Sequence, residues 1–407
     1  MELEVYRLKE ESERLSVENS RITLAGRIRE FTAVRLIRDG RLGKALVEGD
    51  NVEKAKILAG RLLKFSRRED YTLPNGCRKR WDRTFEVDIE DIAEELSTLI
   101  AKAEDKGISV GEGKVILTTK TFSVESSKGA DVEGKYSFSA FEFTLVKEGL
   151  SLPLVGGSAG RQGLEDIFER AFEIFKSAKE GAKPSSGAQR VILAPYHASL
   201  LTLAGLLTHL RGSSVVRNIS RLRNELGKRI ASEGFTLLDW PSMEGSLRYV
   251  EADDEGVPVK RNVLVDKGIL RGFLWDSYWA FKAGKRSTGN GLRIEDVVID
   301  APHNLVLAPG TLSFDELLSE LGNGYVILGI RGLNTLDPQS GRFSLVATPA
   351  LVVKNGEITG HTSFTFEGTV EGMLGNIEAT GNELTHVWFE EGFSTAFPYV
   401  LTSINIV

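Results

Sequence analysis

The stretch AVRLIRDGRLGKALVEG, Ala33–Gly49, sets Asp39-Gly40 between two runs of alternating apolar and polar residues. A two-residue hairpin turn of this kind needs positive φ at both central positions, which Asp-Gly supplies, so the stretch reads as two antiparallel strands. Working outward, the start of the chain repeats the alternation through Leu3, Val5, Leu15 and Val17, the period of strands with one buried face. Downstream, DNVEKAKILAGRLLKFS places Ala55, Leu58, Ala59 and Leu62 on one helical face, with Asp50 as its expected cap. In VDIEDIAEELSTLIAKAEDKG a longer stripe runs through Ile89, Ile92, Ala93, Leu96, Leu99, Ile100 and Ala103, and Gly107 is placed to end it. Strand patterning returns from Lys114 to Lys147 around a turn at Ser127-Lys128-Gly129. A third helix in LEDIFERAFEIFKSAKEG turns Leu164, Ile167, Phe168, Ala171, Ile174 and Phe175 inward.

The segment GAKPSSGAQ, Gly181–Gln189, has no apolar period and reads as an interdomain linker. Beyond it, hairpins are expected at Asp266-Lys267-Gly268 and Asn355-Gly356, and helices at Ala194–Gly212 and Ser214–Ser232. Strands joined by tight turns, with helices set apart, imply antiparallel sheets and an α+β fold. The expected domains are an N-terminal α/β domain, 1–185, and a strand-rich C-terminal domain, 190–407.

The 407 residues carry a net charge of −6, which gives no reason to expect a nucleic-acid partner. The lone Cys77 forms no internal disulfide and fits a reducing cytoplasm. Neither a signal peptide nor a membrane span is expected, because Met1 leads straight into charged ELEVYRLKEE and the longest apolar run is short.

Three motifs invite chemistry. His197 and His209 lie twelve residues apart in one helical segment with no acid between them. That spacing is about 18 Å of rise, too far for one metal ion, and His303, His361 and His386 are scattered. GGSAG, Gly156–Gly160, matches the string of a nucleophile elbow centred on Ser158, yet the flanking strands read as antiparallel and RQG separates it from the next helix. Finally, EADDEGVPVKRNVLVDKGILRGFLWDSYWAFKAGKRSTGNGLR, Glu251–Arg293, holds an acidic triplet, Asp253, Asp254 and Glu255, before Gly256, and a small-residue loop, Ser287, Thr288, Gly289, Asn290 and Gly291. The triplet reads as a cation site or, better by composition, a solvated turn; the loop allows close backbone approach.

The block Glu251–Arg293 resembles the signature of the TldD/PmbA family. Ala33–Ser66, Asp337–Ile358 and Gly375–Glu383 are similar to its other segments, so the resemblance touches most of the chain. The family has a TldD branch, whose helix carries H-E-x-x-x-H and holds a catalytic metal, with a metal-ligating cysteine late in the chain. Aligned on Pro195, those helix places fall at Leu203, Ala204 and Thr208, and no cysteine follows Cys77. The chain therefore resembles the PmbA (TldE) branch. The resemblance implies a subunit with no metal or other cofactor of its own, paired with a zinc-dependent (or similar) TldD-type partner in a heterodimer that cleaves unfolded peptides, or forming a homodimer without it. It implies no catalytic residue here. Asp253, Asp254, Glu255, Gly256, Ser287, Thr288, Gly289, Asn290 and Gly291 are the expected substrate-channel or partner-contact residues. A free-standing hydrolase using Ser158 with a histidine such as His197, and a homodimeric peptide-binding protein, stay open as alternatives.

Overall fold

A computed structural model describes residues 1–161, 163–181 and 183–407. The hairpin of the opening stretch forms as the turn chemistry requires: Arg38 pairs with Arg41, and Asp39 and Gly40 have φ of 53° and 71°. It belongs to a seven-stranded sheet built from β1 (Glu2–Glu18), β2 (Arg21–Arg38), β3 (Arg41–Glu48), β4 (Arg78–Arg83), β5 (Ser109–Ser126), β6 (Asp131–Lys147) and β7 (Leu150–Ser158). Its order is β3-β2-β1-β5-β6, with β4 and β7 both on β6. Every neighbour is antiparallel except β4, which runs parallel to β6.

Helix α1 (Val52–Leu62) is capped by Asn51, whose side chain accepts from the Lys54 N–H, and not by Asp50. Asp50 instead meets Arg7 across the sheet surface. Ala55 and Ala59 bury against Val34, Leu36, Ala45 and Val47, but Leu62 is exposed; the next residue, Leu63, takes the buried place. Helix α2 (Ile89–Asp105) buries its expected stripe apart from the half-buried Ala93, and Gly107 follows at φ 69°. Helix α3 (Glu165–Ser177) packs Phe168, Ala171 and Phe172 inward, with Leu164 buried just before it.

Within the expected linker, Ala182 lies outside the described residues and Gly187 already starts the strand Gly187–Leu193. That strand is central to an eight-stranded sheet, and a second, six-stranded sheet faces it. Between them runs helix α4 (Pro195–Thr202) and its continuation to Leu210. Leu201, Leu206, Leu207 and Leu210 pack against Leu193, Ile327 and Phe366 of one sheet and Leu237, Leu305 and Leu307 of the other. Both expected hairpin turns are present, with Lys267-Gly268 and Asn355-Gly356 at positive φ. The sheets are mostly antiparallel, with parallel pairs at Tyr325–Ile327 on Val191–Leu193, at Asn304–Val306 on Ser394–Ala396 and at Gly360–His361 on Lys179–Glu180.

One expected helix is absent. After the short helix Gly212–Val216, the segment to Ser232 is a run of turns. Asn218 and Gly227 adopt positive φ, and the N–H groups of Gly227 and Ile230 bond to Leu270 and Gly268. Pairing beside the 262–270 hairpin outweighs a helical propensity with no clean apolar stripe.

Candidate functional site

The acidic triplet is not a solvated turn. Asp253, Asp254 and Glu255 are each no more than 2% exposed. Asp253 ties the turn to itself and to the small-residue loop: its carboxylate accepts from the N–H groups of Glu255 (3.0 Å), Val257 (2.9 Å) and Gly291 (2.9 Å). Asp254 binds the Arg248 guanidinium through both oxygens, at 3.0 and 3.1 Å, and accepts from the Arg293 N–H at 2.8 Å. Glu255 reaches Arg35 on β2 at 2.6 Å and accepts from the N–H and hydroxyl of Ser277. Arg35 also holds Glu4 on β1, the residue directly opposite it in register, and Glu4 in turn binds Arg293. Arg293 lies over the Tyr6 ring, 4.8 Å from its centre. Four charged side chains thus close a buried chain, Arg293–Glu4–Arg35–Glu255, between the N-terminal sheet and the 251–293 block. Burial opposes ionisation of Glu255, but the Arg35 charge and the Ser277 hydrogen bonds outweigh it and hold the carboxyl below its ordinary range.

The loop at 287–291 is equally internal. Asn290, fully buried, donates to Asp239 (2.6 Å) and Ala301 O (3.0 Å) and accepts from Asn262 (3.0 Å) and Thr288 (2.6 Å). His303 closes this side. Arg248 Nε donates to its Nδ1 at 3.2 Å, so Nε2 carries the proton and donates to Gly289 O at 2.8 Å. Burial and the Arg248 charge push its pKa down to about 3, which agrees with a neutral ring. The glycines are required by proximity. A Cβ on Gly291 would sit 2.6 Å from a Glu255 oxygen, and one on Gly256, at φ 74°, would sit 2.6 Å from Ala130 of the N-terminal sheet.

Of the nine expected contact residues, only Ser287 and Thr288 are half-exposed; the other seven have no open face to offer a substrate or partner directly. They brace the joint between the sheets from beneath. Sequence reasoning missed the partners that make this joint, Glu4, Arg35, Arg248, Arg293, Asp239 and His303. The available signal was a charge inside an apolar strand, Arg35 in AVRLI, with Glu4 at a comparable place in ELEVY.

The helix opposite carries the second feature. Leu203–Leu207 form a π-turn, with one residue more per turn than the α-helix on either side. In an unbroken α-helix the first and sixth residues of a run point about 140° apart. The lengthened turn brings Thr208 back beside Leu203, and Leu203, Ala204 and Thr208 are the half-exposed residues of Leu201–Leu210, whose other seven members are buried. The three places that the H-E-x-x-x-H comparison picks out therefore share one open face. Their side chains do not fit a metal: leucine and alanine have no donor atom, and a lone threonine hydroxyl is a weak one. Among the described residues, no three His, Cys, Asp or Glu side chains converge as a ligand set.

The histidines stay dispersed. His209 bonds Pro338 O at 2.8 Å, and His361 lies in the strand Glu357–Thr369. Ser158 ends β7, an antiparallel edge strand, and its carbonyl accepts from Ser139. The elbow geometry is absent, and Gln162 of the intervening RQG lies outside the described residues. His197, 5% exposed, and His386 both line a cleft of about 310 Å³ between β7 and the strand Thr385–Phe389, and among the described residues neither Nδ1 has a hydrogen-bond partner. Among the described residues, Ser158 and His197 form no hydrogen-bonded pair, so this serine does not have that histidine in place as a base.

Burial pushes the His197 pKa down to about 4 from an ordinary 6.5. As pH falls below 6.5 the unfolded chain takes up a proton that the folded chain refuses until about pH 4, so this residue's share of stability is present above 6.5 and lost across that window. Relative to His197→Gln, the wild-type chain is expected to lose roughly 3 kcal/mol between pH 6.5 and 4. Urea melts across that range check it, and parallel pH profiles for the two proteins count against a buried neutral imidazole.

With this geometry in view, similarity to known proteins is specific. The C-terminal domain of PmbA/TldA metallopeptidases matches residues 186–406, just over half of the chain. The chain belongs to the PmbA/TldD family. Among solved structures, TldE from Thermococcus kodakarensis superposes with a TM-score of 0.88 at 28% identity, covering 100% of this chain and 96% of that one. A metalloprotease of Methanocaldococcus jannaschii is 31% identical over 293 residues, 67% of this chain and 62% of the relative. Metalloprotease PmbA of Escherichia coli O157:H7 is 34% identical over 185 residues, 44% of this chain and 39% of the relative. The antiparallel α+β architecture is that of the TldE structure. No helix among the described residues is long and apolar enough to cross a membrane.

Proposed function

We propose that this PmbA/TldD-family chain is the metal-free subunit of a TldD/TldE-type peptidase, working in the cytoplasm on unfolded peptides whose hydrolysis is carried by the metal of a TldD-type partner. One observation carries the reading: the open face of the π-turn presents Leu203, Ala204 and Thr208, an apolar surface with neither a set of ligands nor a base. The backbone keeps the places together while the chemistry is missing from all three at once. In this reading residues 1–185 and 190–407 are two domains locked by the Arg35–Glu255 joint, which fixes the shape of the surface around the π-turn. The likeness to TldE and to metalloproteases by name supports the assignment.

The test is reconstitution. Alone, the purified chain is expected to retain no stoichiometric zinc and to leave an unfolded peptide uncut. With a TldD-type subunit it is expected to co-purify and to yield cleavage that a chelator abolishes. Chelator-sensitive cleavage by the lone chain, or failure to associate with the TldD-type subunit, overturns the assignment.

A further inference from the structure

A second cleft, of about 410 Å³, opens between the β2–β3 hairpin, the segment Ser66–Tyr71 and the short helix Ser277–Lys282. Its walls are aromatic. Tyr71 meets Tyr278 edge-on with ring centres 5.3 Å apart, and Tyr278 meets Trp279 in the same way at 5.1 Å. Its charges are unbalanced. Lys44, Arg67 and Arg217 all line it, and among the described residues none lies within ion-pair distance of a carboxylate. Lys44 is half-buried on β3; Arg217 lies over the Trp279 ring at 5.0 Å.

The acids at this cleft are already engaged. Glu69 accepts from Lys282 Nζ at 3.1 Å and from the Tyr278 hydroxyl at 3.0 Å. Asp276 accepts from the Trp279 N–H at 2.6 Å as the helix cap, and burial together with the nearby Glu255 charge pushes its carboxyl above the ordinary range. Arg35, at the floor, is satisfied by Glu4 and Glu255. The remaining field is positive, set in aromatic walls, and the volume lies at the small end of ligand sites. A phosphate would leave the rings unused, whereas a carboxylate joined to an apolar body uses both features.

The geometry points to a binding site for the C-terminal residue of a short peptide, its free carboxylate held by Lys44 and Arg217 and an aromatic or large apolar side chain set among Tyr71, Tyr278 and Trp279. This site rests on the proposed peptide-handling role for the choice of a peptide, and it is tested on the chain alone. In calorimetry, Ala-Ala-Phe is expected to bind saturably, and its C-terminal amide about tenfold more weakly or not at all. Lys44→Gln and Arg217→Gln should each weaken the free acid by about tenfold while leaving the thermal melt in place. Equal binding of acid and amide, no saturable binding, or variants that bind like the wild type overturns the site. Tighter binding of free 3-phenylpropanoate than of the tripeptide overturns the peptide assignment. Association with a TldD-type subunit, measured separately with the Lys44→Gln chain, separates failure of this site from failure of the subunit reading: the variant is expected to associate normally.

Discussion

Replacing Arg35 by alanine is expected to cost about 3–5 kcal/mol. The guanidinium is 4% exposed and lies between two carboxylates, Glu4 and Glu255, that are themselves buried. Its removal leaves Glu255 with Ser277 as its only remaining polar side-chain partner among the described residues and obliges Glu4 to rely on Arg293. Both acids are about 1% exposed, so the penalty is chiefly that of an uncompensated buried charge rather than of a lost attraction. A change that also removes the charge on the other side, Arg35→Met with Glu255→Gln, is expected to recover part of the loss, because a dry joint tolerates a neutral pair. Urea midpoints for the three proteins check both statements. A loss below about 1 kcal/mol for Arg35→Ala would mean that the joint is wet.

The triple replacement Leu203→His, Ala204→Glu, Thr208→His is expected to bind zinc more tightly than the unmodified chain, yet short of one retained equivalent, because no cysteine follows Cys77 to supply a third ligand. The lengthened turn is the reason for the tighter binding. Imidazoles at the first and sixth positions diverge on an α-helix but share the open face when Leu203–Leu207 adopt the π form. The same three residues moved one place along, at 204, 205 and 209, are the control. Gly205 and His209 are buried there, and a Cβ on Gly205 would already lie 2.5 Å from Val370. Equilibrium dialysis followed by elemental analysis reads the outcome. Equal zinc in both variants would show that the turn does not set the ligand geometry.

How much of this was legible before folding follows the range of each interaction. Asp39-Gly40, Lys267-Gly268 and Asn355-Gly356 announce their hairpins because a local φ requirement selects the residues. The stripe of α2 was readable for the same reason, since its seven positions are set by one helical period. The missing helix at 214–232 was misread because its N–H groups go to the hairpin at 262–270, a partner that no local pattern names. The joint was hidden more deeply. DDEG looks like a solvated turn by composition, and only the register of β1 on β2, which sets Glu4 against Arg35, brings a matching charge to it. The π-turn was invisible as well, since LAGLL carries no signal that separates it from an ordinary α-helix.

The joint also imposes an order of events on the ribosome. Arg293 is made 289 residues after Glu4, and Glu255 follows Arg35 by 220. At typical elongation rates the first of those waits is roughly 15–60 s. For that interval the nascent amino-terminal sheet holds an incompletely neutralised seam, which closes only once Arg293 has been made.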